Sequence, residues 1–179
     1  MTQFLHLGCG HHELPKPWQN FDREIDLRER LPWGDGTVRY IFAEHVIEHL
    51  PFADGFRFLR ECVRVLVPGG VLRFSFPDIS RFTPQHVASF SFYLSRQGVQ
   101  NIDTLAELQR ALLTGWGHQS CWTQDMALHV CNAAGFTKTW TPTYLNSVHP
   151  KLRGIDGHHL TTGDQRMVSL ETGIVEAQK

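Results

Sequence analysis

The segment Phe4-Leu5-His6-Leu7-Gly8-Cys9-Gly10 decides the fold, because an apolar run typical of a buried strand leads directly into two glycines one residue apart. Glycine tolerates the backbone of a tight turn and leaves room for a ligand beside the main chain. A second apolar run, residues 18–21, ends at Asp22. A strand, a glycine loop and an acid that closes the next strand are typical of the ribose-binding half of a nucleotide-type site. On the glycines alone, a turn that binds no ligand is the alternative.

The phosphate-binding half of a dinucleotide fingerprint is missing from this segment. The third glycine of G-x-G-x-x-G falls on Glu13, an anion that repels phosphate. Pro15 and Pro17 remove two amide donors and prevent a long helix after the loop. These residues argue against a dinucleotide oxidoreductase and predict a site for an adenosine compound without phosphates. Within the loop, Cys9 is either a reactive thiol or a small side chain that fills the turn, and we favour the second.

Length, charge and cysteine usage narrow the class of protein. The 179 residues predict a single domain, 1–179, with a substantial core. A formal net charge of −1 without a basic run predicts neither a nucleic acid nor a membrane as partner. We find no signal-peptide pattern and no run approaching about 20 apolar residues. The four cysteines lack a C-x-x-C pair, which favours a reduced, cytoplasmic setting.

Strand and helix patterns alternate through the first half of the chain. Residues 37–43 are β-branched and aromatic, which predicts a buried strand. Residues 52–67 carry apolar side chains at helical spacing with charges between them, which predicts an amphipathic helix. Pro68-Gly69-Gly70 ends that helix, and residues 71–76 read as the next strand. Helices between buried strands predict a parallel sheet with right-handed crossovers.

The second half departs from this regularity. Residues 80–117 combine a Phe-rich segment with a leucine pattern at helical spacing, which predicts a helical insertion. A helix over residues 123–134 should end at Gly135. Residues 136–140 and 167–175 read as the two final strands, and the loop between them is rich in proline and glycine. Long loops in compact domains are often functional.

Six motifs of the chain occur in the order known from one family. They are residues 5–10, Asn20-Phe21-Asp22, Asp26-Leu27 with Leu31-Pro32-Trp33, residues 44–50, Leu66-Val67-Pro68-Gly69-Gly70 and Ala134-Gly135-Phe136. In these motifs the chain resembles class I S-adenosylmethionine-dependent methyltransferases, and looks closest to a small bacterial branch with a shortened cofactor half. The resemblance implies a Rossmann-like, doubly wound α/β sheet of order 3-2-1-4-5-7-6 with strand 7 antiparallel. Because Asp22 and Asp26 are only four residues apart, the third strand is expected to be rudimentary.

The resemblance also implies S-adenosylmethionine as the cofactor. It assigns eight cofactor-binding residues, namely Gly8, Cys9, Gly10, Asp22, Asp26, Leu27, Glu44 and His45. The glycine loop would lie beside the methionine part, and Asp22 would bind the ribose hydroxyls. The pair Asp26-Leu27 would meet the adenine edge, whereas Glu44 and His45 would line the floor near the sulfonium.

Methyl transfer asks the protein mainly to position and desolvate the reactants, and an acceptor of high pKa also benefits from a general base. His49 and His118 are the predicted catalytic residues, with a structural histidine as the alternative for each. The predicted function is methylation of a hydroxyl or amine on a small-molecule or glycan-type substrate. The alternative is a non-catalytic, methyltransferase-like binding or interaction module.

The segment His45-Val46-Ile47-Glu48-His49 raises the question of a metal. It matches the inverted zinc-protease motif H-x-x-E-H, but the preceding strand and Pro51 argue against the continuous helix that this motif needs. Some metal-assisted O-methyltransferases resemble this chain in carrying E-x-x-E-H here. Because His45 replaces the first acid, we predict a metal-free site. The alternatives are a divalent ion at His45, Glu48 and His49, joined by His118, and a pair Glu48-His49 that caps the next helix.

Overall fold

The computed structural model describes residues 3–179. A six-stranded sheet in the order β2-β1-β3-β4-β6-β5 forms its centre. The strands are β1 (Gln3–Leu7), β2 (Trp18–Phe21), β3 (Val38–Glu44), β4 (Leu66–Pro77), β5 (Lys138–Trp140) and β6 (Thr172–Gln178). The first four strands are parallel, and β6 runs antiparallel between β4 and β5. The mixed α/β class and the antiparallel last strand are as predicted.

The sheet differs from the predicted order only in its third strand. Within the described part of the chain, residues 22–37 form turns rather than a strand, so that β2 is the edge of the sheet. Most positions of this segment are charged, glycine or proline, which do not supply the alternating apolar face of a strand. Leu27 and Leu31 instead turn inward and join the main core. The expected rudimentary strand is therefore absent.

Six helices flank the sheet. They are α1 (Phe52–Val65), α2 (Val87–Ser95), α3 (Leu105–Thr114), α4 (Gln124–Ala134), α5 (His158–Thr162) and α6 (Gln165–Glu171). The predicted helix over residues 52–67 ends two residues early, because Leu66 already belongs to β4. At the start of α4, Thr123 Oγ1 accepts a hydrogen bond from Met126 N, and at its end Gly135 adopts φ 113°. These are the expected start and stop signals of a helix.

The prediction of a strand over residues 167–175 is wrong in its first part. Residues up to Glu171 belong to α6, and β6 begins only at Thr172. The Asp164 side chain caps the helix by accepting from Met167 N at 3.1 Å. Met167, Val168 and Glu171 then lie at helical spacing and are buried. This helix carries Glu171 to the edge of the sheet where Pro77 ends β4.

Helices α2 and α3 form a second apolar cluster with α6, separate from the main core of the sheet. The cluster contains Phe82, Phe90, Tyr93, Leu94, Ile102, Leu108, Ala111, Leu112, Met167 and Val168. Three aromatic residues of the Phe-rich stretch, Phe82, Phe90 and Tyr93, therefore pack as core, whereas Phe92 is exposed. Among the helices of residues 3–179, we find none whose length and apolar character would let it cross a bilayer.

The long loop between β5 and α5 is tied to the sheet by a buried ion cluster. Arg73 of β4 is 0 % exposed and lies between the carboxylates of Asp156 and Glu176. Its guanidinium contacts both Asp156 oxygens, at 2.9 and 2.6 Å, and Glu176 Oε1 at 2.7 Å. Trp140 Nε1 donates to the other Glu176 oxygen at 2.8 Å. The cluster fixes the position of residue 156 and of the segment that follows it.

Candidate active site

A cavity of about 660 Å³ opens at the carboxyl ends of β1, β3 and β4. This is the edge of an open α/β sheet at which ligands bind, and the volume suits a small-molecule site. Four segments line the cavity: the glycine loop after β1, the residues after β3, the insertion, and the region from Gly157 to Glu171. Segments that are distant in sequence thus share one cavity.

The two glycines of the loop have different reasons to be glycine. Both have positive φ, 70° at Gly8 and 50° at Gly10. A Cβ atom on Gly8 would overlap the Val46 side chain, whereas one on Gly10 would have no heavy atom of residues 3–179 within 4 Å. The loop is held by Gly8 N and Cys9 N, which donate to Phe21 O at 2.7 and 3.1 Å. Gly8 therefore serves the packing of the loop, and open space lies beside Gly10.

Five of the eight predicted cofactor residues line the cavity: Gly8, Cys9, Gly10, Glu44 and His45. Asp22 lies next to them, since its Oδ1 accepts from Gly10 N at 3.3 Å. Asp26 and Leu27 lie outside the lining. Hydrogen bonds from the side chain and the backbone N–H of Arg28 lower the pKa of the exposed Asp26 to about 2, and the Leu27 side chain packs in the core. The two residues predicted to contact adenine therefore lie after the edge strand β2 and do not line the cavity.

Glu44 ends β3 and is held from two sides. Its Oε2 accepts from Gly157 N at 2.8 Å and lies 3.8 Å from His12 Nδ1. A Cβ atom at Gly157 would overlap the His12 ring, so this contact requires glycine. Burial opposes ionisation of Glu44, but the nearby His12 ring, the charge of His45 and the hydrogen bond from Gly157 N hold its pKa below the ordinary value. Glu44 is therefore ionised.

His45 adopts the left-handed region with φ 51°. Its Nδ1 lies 3.3 Å from Glu48 Oε1, its Nε2 lies 3.2 Å from Thr172 Oγ1, and the His158 ring stacks on it at 3.8 Å. Burial disfavours the charged form of His45, but Glu48 and Glu171 outweigh it and raise its pKa. Burial lowers the pKa of His158 to about 3. The pKa values of the two stacked rings are therefore shifted in opposite directions.

The structure brings the two predicted catalytic histidines together. The rings of His49 and His118 are 5.0 Å apart and nearly perpendicular. His118 Nδ1 is hydrogen-bonded to the Leu112 carbonyl, so Nδ1 carries the proton and Nε2 keeps its lone pair. Burial lowers the pKa of His118, which favours this neutral form. Gln119 N and Ser120 N both donate to the Glu48 carbonyl and so hold the two segments side by side.

Glu48 completes a group that could hold a cation. Ligand atoms of Glu48, His49 and His118 all lie within 4.8 Å of one another. His45 is not a member of this group, although its Nδ1 lies 3.3 Å from Glu48 Oε1. The alternative role of Glu48 and His49 as a helix cap is wrong, since the N-cap of α1 is Pro51 and no side chain caps the helix.

Sequence reasoning missed Glu171, which lines the cavity from the end of α6. Its Oε1 accepts from Tyr93 OH at 3.3 Å and lies 4.0 Å from His158 Nε2. Burial raises the pKa of Glu171 to about 7, the range of a general base. The signal that would have found it is the cap at Asp164 followed by apolar residues at helical spacing.

Comparisons with known proteins bear on the class of this chain. Residues 23–74 match the family described as a methyltransferase domain. Among curated proteins no match is found. A solved structure described as a possible histamine N-methyltransferase from Thermotoga maritima is 11 % identical with TM-score 0.60, over 100 % of this chain and 83 % of that one. A methyltransferase from Archaeoglobus fulgidus is 12 % identical with TM-score 0.57, over 99 % and 86 %.

One of the compared structures is much longer than this chain. This chain spans 44 % of the length of a possible exported protein from Bordetella parapertussis, which is 16 % identical with TM-score 0.49 over 90 % of this chain. At such identities the structural likeness concerns the fold. The fold is that of class I S-adenosylmethionine-dependent methyltransferases, and the match over residues 23–74 supports that class, with S-adenosylmethionine as its cofactor. The predicted family, fold class and cofactor are thereby confirmed.

Proposed function

We propose that this protein is an enzyme that methylates a hydroxyl or amine of a small-molecule or glycan-type acceptor. One observation carries the proposal: a single cavity is lined both by the glycine loop and by the pair His49–His118. A cofactor site and an acceptor site must be continuous for direct transfer between two bound molecules. In this cavity the loop is the cofactor side, and the histidine pair is the acceptor side.

The described residues fit the methionine end of the cofactor. Space is open beside Gly10, and Glu44 Oε1 and His12 Nδ1 are buried without a hydrogen-bond partner among residues 3–179. When bound, S-adenosylmethionine supplies an electrophilic methyl group on a sulfonium. We assign the methionine end to the loop with Glu44 and His45, the ribose to Asp22, and the adenine edge to Asp26 and Leu27.

The histidine pair has the properties of a base that acts on the acceptor. The hydrogen bond to Leu112 orients the His118 ring, and its neutral form can take a proton at Nε2. His49 lies against that ring and is held by its own backbone, since Gln119 Nε2 donates to His49 O at 2.7 Å. The pair can therefore orient the acceptor and remove its proton.

Two observations favour alternatives to a metal-free enzyme, and both alternatives can be tested. The absence of a third strand in the described chain and the engagement of Asp26 with Arg28 favour a module that binds cofactor weakly or not at all. The group Glu48, His49 and His118 favours a metal-assisted acceptor site. Each alternative predicts a different response to ligand or ion.

Calorimetry with S-adenosylhomocysteine tests the cofactor assignment. The wild-type protein should bind it, and Gly10→Arg should abolish binding because the arginine fills the open space beside the loop. Gly36→Arg is the matched control, since Gly36 also has positive φ (63°) and open surroundings but lies outside the cavity. Asp22→Ala should weaken binding at least about tenfold, because hydrogen bonds to a charged group are strong.

The results separate the enzyme from the interaction module. Undetectable binding by the folded wild-type protein, checked by circular dichroism, would favour the module. If Gly10→Arg and Gly36→Arg lost S-adenosylhomocysteine binding equally, the assignment of the glycine loop to the cofactor would be contradicted. For the metal alternative, thermal unfolding with Mn²⁺ or Mg²⁺ is compared with chelator. A metal-free site predicts no ion-dependent shift, and a shift abolished by Glu48→Gln would show a metal site.

A further inference from the structure

Buried acidic side chains are concentrated in the lining of the cavity. Three carboxyl groups line the cavity and are buried: Glu44 at 9 %, Glu48 at 2 % and Glu171 at 5 % exposure. Of the rings that line it, His45 has a raised pKa, whereas burial lowers the pKa of His6 to about 4, of His158 to about 3, and also lowers that of His118. Among the described residues the lining contains one arginine, Arg96, which is exposed. The buried lining is therefore richer in carboxyl groups than in groups whose surroundings favour a positive charge.

Glu48 is the least satisfied of the three carboxylates. Neither of its oxygens accepts a hydrogen bond from residues 3–179, and both are buried. The nearest cation, His45 Nδ1 at 3.3 Å from Oε1, lies at ion-pair distance without making a hydrogen bond. A buried carboxylate without hydrogen bonds is costly. Gln97 Nε2 and Thr162 Oγ1, from the same lining, are also buried without partners. These atoms are polar positions of the cavity that a bound molecule could satisfy.

Glu44 belongs to a different part of the cavity. Gly157 N and His12 hold it at the glycine loop, where the cofactor is assigned. Glu171 instead contacts Tyr93 of the insertion; burial raises its pKa, and the charge of Glu48 adds to that rise. Glu48 and Glu171 are therefore the carboxylates left for the acceptor.

We propose that the methyl acceptor is a small molecule with a basic nitrogen, which Glu48 and Glu171 bind as an ammonium ion. The inference rests on the proposed function and selects the amine over the hydroxyl. An ammonium ion complements the charge of these two carboxylates, and its N–H groups can donate to the Glu48 oxygens, which accept no hydrogen bond from residues 3–179. A neutral hydroxyl would leave the second carboxylate charge unbalanced.

The ammonium form cannot itself be methylated, because its nitrogen has no lone pair. One proton must pass to a base, which leaves a neutral amine and a protonated carboxyl group. Glu171, whose burial raises its pKa to about 7, can accept that proton at neutral pH. The same group can therefore bind the cation and prepare it for transfer.

The test compares amines with alcohols of the same shape. Protein saturated with S-adenosylhomocysteine is titrated calorimetrically with three pairs: 2-phenylethylamine and 2-phenylethanol, 1,4-diaminobutane and 1,4-butanediol, and glucosamine and glucose. At least one amine should bind about tenfold or more tightly than its alcohol. Glu48→Gln and Glu171→Gln should each remove most of that preference, measured as the ratio of amine to alcohol affinity within the same variant. Asp125→Asn, an exposed residue of α4 outside the cavity lining, is the charge control and should change nothing.

Each outcome decides the proposal. An amine preference that both glutamine variants reduce supports it. Equal binding of amines and alcohols, or no binding of either, overturns it while leaving the cofactor result intact. If Glu171→Gln fails to fold, Glu48→Gln and the wild-type comparison still decide. Failure of S-adenosylhomocysteine to bind the wild-type protein is a separate result, which contradicts the proposed function itself.

Discussion

Replacing Arg73 by methionine should strongly destabilise the fold. The guanidinium is fully buried and makes three hydrogen bonds to the carboxylates of Asp156 and Glu176, with a fourth to Asn146 O at 3.0 Å. Methionine fills part of the volume but leaves two buried carboxylates without a cation. Trp140 and the Leu145 amide remain as donors to them, at 2.8 and 2.7 Å, which limits the loss.

The magnitude follows from the burial of the cluster. Removing one partner of a buried ion pair typically costs about 3–5 kcal/mol. With a urea m-value of about 2 kcal/mol/M, a loss of about 4 kcal/mol lowers the unfolding midpoint by about 2 M. The free energy of unfolding that Arg73→Met loses relative to the wild type should become smaller as pH falls from 7.5 towards 5. Burial raises the pKa of the Asp156 carboxyl and Arg73 opposes that rise. Without Arg73 the folded-state pKa of Asp156 lies further above the unfolded one, and such a group loses stability as pH rises through the folded pKa.

Urea unfolding followed by circular dichroism at pH 7.5 and pH 5 measures both effects. Arg57→Met is the matched control, because Arg57 is largely exposed and pairs with Asp54 at 3.0 Å. An exposed pair contributes about 1 kcal/mol or less. A loss in Arg73→Met no larger than in Arg57→Met, or a loss that does not change with pH, would refute the reasoning.

Three further predictions concern the site itself. Gly8→Ala should lower the free energy of unfolding by more than about 2 kcal/mol, since it adds a clash with Val46 to the strain of positive φ, whereas Gly36→Ala carries the strain without a clash; equal losses in urea unfolding would contradict this. In an NMR titration of the histidine rings, His118 should titrate below the ordinary value of about 6.5, because it is buried; a midpoint above 7 would remove it as a neutral base. With an acceptor in hand, His49→Ala and His118→Ala should each lower the methylation rate by about 10²-fold. Unchanged rates at unchanged S-adenosylhomocysteine affinity would assign both rings a structural role.

The sequence predicted those strands and helices whose start, end or buried face is marked by residues close together in the chain. The apolar run before Gly8 marks β1, the period of α1 shows which face is buried, and Thr123 with Gly135 marks both ends of α4. These signals act over one or two turns of backbone, so they are readable without tertiary contacts. The order of motifs also placed His49 at the carboxyl edge of the sheet and His118 on the insertion.

Two features could not be predicted from local pattern alone: the absence of a third strand after β2 and the presence of helix α6. In both, packing or a helix cap decided between structures that the local pattern allows. Leu27 joins the core through a turn, so the segment after β2 needs no strand to bury its apolar side chains. Residues 167–171 have an apolar pattern that suits either a strand or a short helix, and the Asp164 cap decides for the helix. A period over five residues is too short to distinguish the two.

The amino-acid sequence by itself determined the class of fold, the glycine loop and the type of cofactor, because each depends on residues that are close together in the chain. Only the tertiary structure decided what surrounds the cavity. Arg73 meets Asp156 across 83 residues, and Glu44 meets Gly157 across 113. The approach of Glu48 to Glu171 likewise has no local signature. Contacts of this kind arise when the sheet and its loops close around one another, and the balance of charge in the cavity is set by that closure.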